Sequence, residues 1–165
     1  MKIAFRLVLL AAAAGLGLWL WTVFFPGPEQ VILRKISRLA ATATFTAGDS
    51  NINRAAKAAN LAGFFAPDAQ IILDGTGQAA RTLSGRDEIR ETALGAFASL
   101  TTLKVRFLDV TVRLGADQQT ADVSCTARVD VGDSKDFGVQ ELRFQLKKID
   151  GDWLITRVET VKTLQ

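Results

Sequence analysis

The sequence predicts an α+β fold: three helices on a curved, mainly antiparallel sheet, preceded by one transmembrane helix. Three observations carry this. An uncharged apolar run extends from Leu7 to Phe25, apolar residues recur at helical spacing after Glu29, and the apolar period changes to two after Leu100. Residues 1–28 read as a membrane anchor and residues 29–165 as one domain, large enough to bury its own core.

The anchor, about 7–25, spans roughly 28 Å as a helix, close to the ~30 Å of a bilayer's hydrocarbon core. Lys2 and Arg6 precede it, and Pro26-Gly27-Pro28 breaks it. Leu7 and Leu18 belong to its apolar body. Trp19, Trp21, Phe24 and Phe25 crowd the distal end, where aromatic rings settle at a membrane interface. A cleaved secretory signal is the competing reading, because Ala11 to Ala14 offers small residues to a peptidase. Against it, cleavage there would leave a mature end too apolar for water. A short basic tail before an apolar run resembles an uncleaved signal anchor, with the amino end in the cytoplasm. The expected location is the bacterial inner membrane, single-pass, with the C-terminal domain in the periplasm.

Ile32, Ile36, Leu39 and Ala43 fall on one stripe of a first helix running to about Thr46. Gly48-Asp49-Ser50-Asn51 supplies a stop and a new cap for a second helix, with Ala55, Ala58, Ala59, Ala62 and Phe65 on its small-residue face and Pro67 ending it. Ala69 to Asp74 and Ala80 to Leu83 form a hairpin around Gly75-Thr76-Gly77. Ser84 with Asp87 resembles a capping box, and Ile89, Ala93, Phe97 and Leu100 mark a third helix.

Four long strands follow, Thr102–Leu114, Thr120–Val131, Gly138–Lys148 and Trp153–Leu164, divided by turn residues. In the second, Ala121, Val123, Cys125, Ala127 and Val129 alternate with Asp122, Ser124, Thr126, Arg128 and Asp130, so one face packs on helices and the other is polar. In the first, Val105 and Phe107 occupy one parity but Leu108, Val110 and Val112 the other. A bulge near Leu108 would reconcile them and bend the sheet. The core is expected to contain Ile36, Phe65, Phe97, Val123, Phe144 and Trp153.

Composition narrows the function. The formal charge is +3, from 20 basic and 17 acidic residues; without Lys2 and Arg6 the domain carries about +1, which is no nucleic-acid surface. Cys125 stands alone, so no internal disulfide forms, and its neighbours suggest a small buried residue.

The element order, with Phe64-Phe-Ala-Pro-Asp-Ala-Gln-Ile71, Leu83-Ser-Gly-Arg-Asp-Glu-Ile89 and Asp150-Gly-Asp-Trp-Leu-Ile155, resembles the nuclear transport factor 2-like (SnoaL-like) superfamily from about Val31 to Leu164. The resemblance implies a cone, a strongly curved sheet around three helices with a pocket at its wide end. It also implies the family's range of isomerases, dehydratases, binders and scaffolds, so the fold does not name the chemistry.

Enzymes of that superfamily use a His/Asp pair, Tyr with Asp, or an Asp-Arg-Asp set. The chain has no histidine and no tyrosine, which removes the first two arrangements and any histidine-based metal site. One cysteine builds no thiolate cluster, and the turn aspartates lack a calcium-loop spacing, so neither metal nor cofactor is expected. The remaining catalytic candidates are Asp74, Asp109 and Arg157. Ordinary roles compete with this: Asp74 leads into a turn, Asp109 follows the expected bulge, and Arg157 with Glu159 suits an exposed cross-strand pair.

Two classes of function remain. The first is a non-catalytic, membrane-tethered assembly module, similar in plan though not in sequence to anchored components of bacterial type IV secretion machines. Asp122, Arg128, Glu141 and Arg143 on the polar sheet face would bind a protein partner or a second copy. The second is a cone pocket that binds a small apolar ligand or acts as a carboxylate-dependent isomerase or hydrolase. Arg34, Lys35 and Arg38, soon after the membrane, suit either a solvated helix face or contact with anionic headgroups.

Overall fold

Pro28 opens the first helix, α1 (Pro28–Ala43), at a position where its missing N–H has no intrahelical partner to lose. The computed structural model describes residues 27–73, 81–132 and 137–161. The anchor residues Leu7, Leu18, Trp19, Trp21, Phe24 and Phe25, and Asp74 with its glycine turn, lie outside the described residues. Among those described, no helix is long and apolar enough to cross a membrane.

Ile32, Ile36, Leu39 and Ala40 form the buried stripe of α1. The helix ends before Thr46 because Thr44 turns to extended backbone. Its hydroxyl donates to the Ala40 carbonyl at 2.9 Å and accepts from the Val105 N–H at 3.1 Å. Phe45 then bridges to Leu103, fastening the helix end to the sheet.

The second helix, α2 (Asn51–Ala62), is capped by Ser50, whose hydroxyl accepts from the Asn53 N–H. Just before it, the Asp49 carboxylate accepts from the Thr46 N–H at 2.8 Å and pairs with Lys57 at 3.2 Å. The backbone bond first, and Lys57 second, hold its pKa below the usual carboxylate range. Of the expected small-residue face, Ala58 and Ala62 are buried while Ala55 and Ala59 are exposed. Phe65 does not belong to this helix. It opens β1 (Phe65–Leu73), and Pro67 sits inside that strand, where the register breaks between Phe65 and Gln70 and a missing N–H is tolerated.

β1 and β2 (Arg81–Ser84) pair antiparallel, as the hairpin reading expects. The third helix, α3 (Arg86–Ser99), starts at Gly85, whose φ of 87° favours glycine. The capping box is not made by Ser84 and Asp87; instead the Ser84 N–H donates to Glu88 at 2.7 Å. Arg86 donates through two guanidinium nitrogens to the Phe65 carbonyl, tying α3 to the start of β1.

Arg54 joins α2 to the end of α3. Its guanidinium donates to the carbonyls of Thr46, Leu100 and Thr101 at 3.0 to 3.2 Å and lies 5.0 Å from the Phe45 ring centroid. Phe45 in turn packs on Phe97 at 4.8 Å, so these residues, with Ala58 and Ala93, make a second apolar cluster beside the main core.

The meander consists of β3 (Leu103–Leu114), β4 (Thr120–Val131), β5 (Phe137–Ile149) and β6 (Asp152–Thr160). The six strands lie in the order β2-β1-β6-β5-β4-β3, antiparallel except where β1 runs parallel to β6. Register aligns Leu83, Ile71, Val158, Phe144, Val123 and Val112 across the inner face. Ile32, Ile36 and Leu39 of α1 share one apolar core with residues of that face, and Phe107 meets Phe144 edge-on at 5.5 Å. All six expected core residues are buried.

Two bulges decide which side chains face inward. In β3 the register shifts between Leu108 and Thr111, so Asp109 adopts φ 53° and Val110 resumes the inward parity. Leu108 stays outward, 44% exposed, which places the bulge just beyond it. In β6 the shift falls at Thr156, between Ile155 and Arg157.

Candidate functional site

Strict alternation from Val105 and Phe107 would point Asp109 inward, and alternation from Trp153 and Ile155 would do the same for Arg157. Each bulge removes its candidate from the interior. Asp109 is exposed in the bulge itself, and Arg157 shares a cross-strand row with Gln70, Gln145 and Asp122 on the outer face. β3 and β6 are separated by two strands, roughly 14 Å at ordinary strand spacing. Asp109 and Arg157 therefore form no joint site, and the third candidate, Asp74, lies outside the described residues. Among the described residues no polar or charged side chain is buried, and the ionisable group that the packed interior does hold is the Cys125 thiol, which burial keeps neutral.

The outer face of β3 to β6 is different. Arg-Val-Asp at 128–130 and Arg-Val-Glu at 157–159 place two like motifs on neighbouring pairs of strands. Asp130 pairs with Arg128 at 3.3 Å on its own strand and with Arg106 at 3.2 Å across to β3. Glu159 pairs with Arg157 at 3.2 Å and with Arg143 at 3.4 Å across to β5. Arg157 and Glu159 are thus same-strand neighbours, not a cross-strand pair. Partial burial pushes the Asp130 pKa up, but Arg128 and Arg106 outweigh it and hold the carboxyl below its ordinary range.

Beside the second triad, with which it shares Arg143, lies a cleft of about 470 Å³, lined by Thr111, Arg113, Asp122, Ser124, Arg143 and Gln145. A neighbouring cleft of about 270 Å³ includes Asp109, Thr126, Glu141 and Arg143 in its lining. Of the four partner-binding candidates, Asp122 and Arg143 share the first cleft, Glu141 and Arg143 share the second, and Arg128 stands apart in its triad. Arg113, Asp122 and Glu141 take part in no ion pair among the described residues.

Sequence reasoning had not assigned Arg106, Arg113, Asp130 and Glu159 to this face as partner-binding residues. For Asp130 and Glu159 the signal was present in the two Arg-x-acid repeats, since residues two apart in a strand share a side; Arg106 and Arg113 lie in no such repeat. Chemically the surface offers fixed charges, hydroxyls and one amide. Such groups bind by charge and hydrogen-bond complementarity, whereas acid–base catalysis requires a group whose proton affinity is tuned to the reaction.

The model of the SnoaL-like domain family matches residues 42–159. Among curated proteins, no relative matches the chain. Solved structures give the same fold at low identity. An NTF2-like protein with a cystatin-like fold from Novosphingobium aromaticivorans is 21% identical, with a TM-score of 0.64 over 90% of this chain and 86% of that one. An NTF2-like protein from Pseudomonas putida is 14% identical, with a TM-score of 0.65 over 83% and 87%. A provisionally assigned scytalone dehydratase from Novosphingobium aromaticivorans is 17% identical, with a TM-score of 0.59 over 82% and 84%. Helix order, sheet order and the span of the family match agree, and the chain belongs to the SnoaL-like domain family.

Proposed function

We propose that this chain is a membrane-tethered, non-catalytic interaction module. Residues 7–25 hold it in the bacterial inner membrane, and the domain docks in the periplasm on a protein partner, another subunit or a second copy, through the outer face of β3 to β6. The observation that carries this reading is the division of charge. The described interior buries no charged side chain, its Cys125 thiol being held neutral, while Arg113, Asp122 and Glu141 stand outside the ion pairs around two outer clefts. Exposed charges of this kind add modest affinity and set partner choice, register and on-rate.

A photo-crosslinking residue at Gln145 in the full chain, irradiated in native membranes, tests the reading. It should give a protein adduct that the same group at Ala98 on α3 does not give, and Asp122→Arg with Arg143→Glu should lower the yield at least tenfold. Equal adducts from both positions, or none, would refute docking through this face. Carbonate washing tests the tether: the protein should stay with the membranes, and its release would refute the anchor.

A second reading draws on the dehydratase among the fold neighbours and on the half-buried inner-face residues Phe107, Val110 and Leu142. A small apolar molecule retained by the purified chain, together with indifference to the reversed outer charges, would favour it.

A further inference from the structure

Arg34, Lys35 and Arg38 of α1 lie beside its buried stripe and face the turn between β5 and β6. With Phe64, Asp152 and Trp153 they line a cleft of about 330 Å³. A merely solvated basic face would hold its ammonium groups in water. Here Lys35 is drawn in: Nζ stands 5.7 Å from the Phe64 ring centroid, and burial lowers its pKa, with the field of Asp152 opposing that shift. None of the three cations is in an ion pair among the described residues, so the cleft holds three positive groups against one carboxylate.

Placement adds a second argument. α1 begins at Pro28, and Arg34 and Arg38 stand about 9 and about 15 Å along it. In the tethered reading the apolar run ends at Phe25, nine residues before Arg34 and thirteen before Arg38, which keeps both within reach of the phospholipid headgroups.

We propose that this cleft binds the phosphate of an anionic phospholipid headgroup and so fixes the domain's pose against the bilayer. The inference rests on the tethered reading above. Arg34 and Arg38, four residues apart and hence one turn from each other, present guanidinium donors to phosphate oxygens. Lys35 supplies a point charge between them and the Phe64 ring, which forms an apolar wall suited to the glycerol carbons. Asp152 repels the anion and limits its affinity, so occupancy depends on the local density of anionic lipid.

Native mass spectrometry of the full chain in detergent, with phosphatidylglycerol or phosphatidylcholine added, provides the test. Phosphatidylglycerol should be retained preferentially. Replacing the three cations by Arg34→Gln, Lys35→Gln and Arg38→Gln should cut that retention on the order of a hundredfold, roughly fivefold per charge, and leave phosphatidylcholine unchanged. Equal retention by the wild type and a folded triple variant overturns the proposal. If the triple variant does not fold, Asp152→Asn decides, because removing the opposing carboxylate should raise retention about fivefold and no change refutes the site. Micromolar binding of glycerol phosphate, or of an acidic peptide, in preference to the lipid would also overturn it. Failure of the tether is a separate result. Carbonate release of the wild type refutes the anchor, whereas an anchored wild type that does not discriminate between the lipids refutes only this site.

Discussion

The two faces of the sheet are built from the same strands one residue apart, and their chemistry is opposite. Inward, Ile71, Val158, Phe144, Val123 and Val112 form a continuous apolar row; on the adjoining outward row stand Gln70, Arg157, Gln145, Asp122 and Arg113. The inner row gains by leaving water, roughly 25 cal/mol per Å² of apolar surface, and that gain depends on close packing. The outer row gains little for the fold, since charge pairs in water contribute about 1 kcal/mol or less. Stability is concentrated on one side of the sheet, and the other side is left free to vary.

Substitutions on each face can break or sharpen this contrast. Phe144→Ala should have the largest effect, about 3 to 5 kcal/mol by denaturant unfolding, because it opens a cavity in the inner row and removes the edge-on contact with Phe107. A loss below about 1 kcal/mol would reverse the assignment of the faces.

Cys125 gives an intermediate test from the same inner face. Burial pushes its thiol pKa up to about 11, above the ordinary thiol range, so the folded protein should resist alkylation at pH 8 until denaturant is added. The sign follows from the raised pKa: the neutral thiol's contribution is complete below about 9 and is lost as pH rises toward 11. Rapid alkylation without denaturant would show that the inner face admits water.

The smallest effect belongs to the outer face. Glu159→Gln removes a carboxylate paired with both Arg143 and Arg157, yet should cost about 1 kcal/mol or less and less still in high salt. A loss comparable to Phe144→Ala would mean that the triads are part of the stabilising framework.

Sequence patterning read the helices and the β4–β5 faces well because periodicity and burial coincide there, as at Ile36 and Val123. It misplaced Phe65 for an understandable reason. Ala58, Ala62 and Phe65 keep helical spacing, and Phe65 is buried in the strand just as it would be on a helix stripe. It had no means of pairing β1 with β6 in parallel, since that contact joins segments far apart in the chain. The site was less legible still. A parity argument survives one expected bulge, but the second, at Thr156, has no composition signal, and it turned Arg157 from an interior candidate into an outer-face residue.

The bulge at Asp109 also bears on solubility. β3 is an edge of the described sheet; Thr44 and Phe45 bond its first residues, and beyond them its unpaired backbone groups could template addition of another molecule. Lys104, Arg106 and Arg113 line it with positive charge, and the left-handed kink at Asp109 interrupts the straight run that a stacking strand would need. At the opposite edge β2 is too short to recruit a partner along much of its length. Straightening β3 by deleting the extra residue would therefore remove a guard against fibrillar self-association.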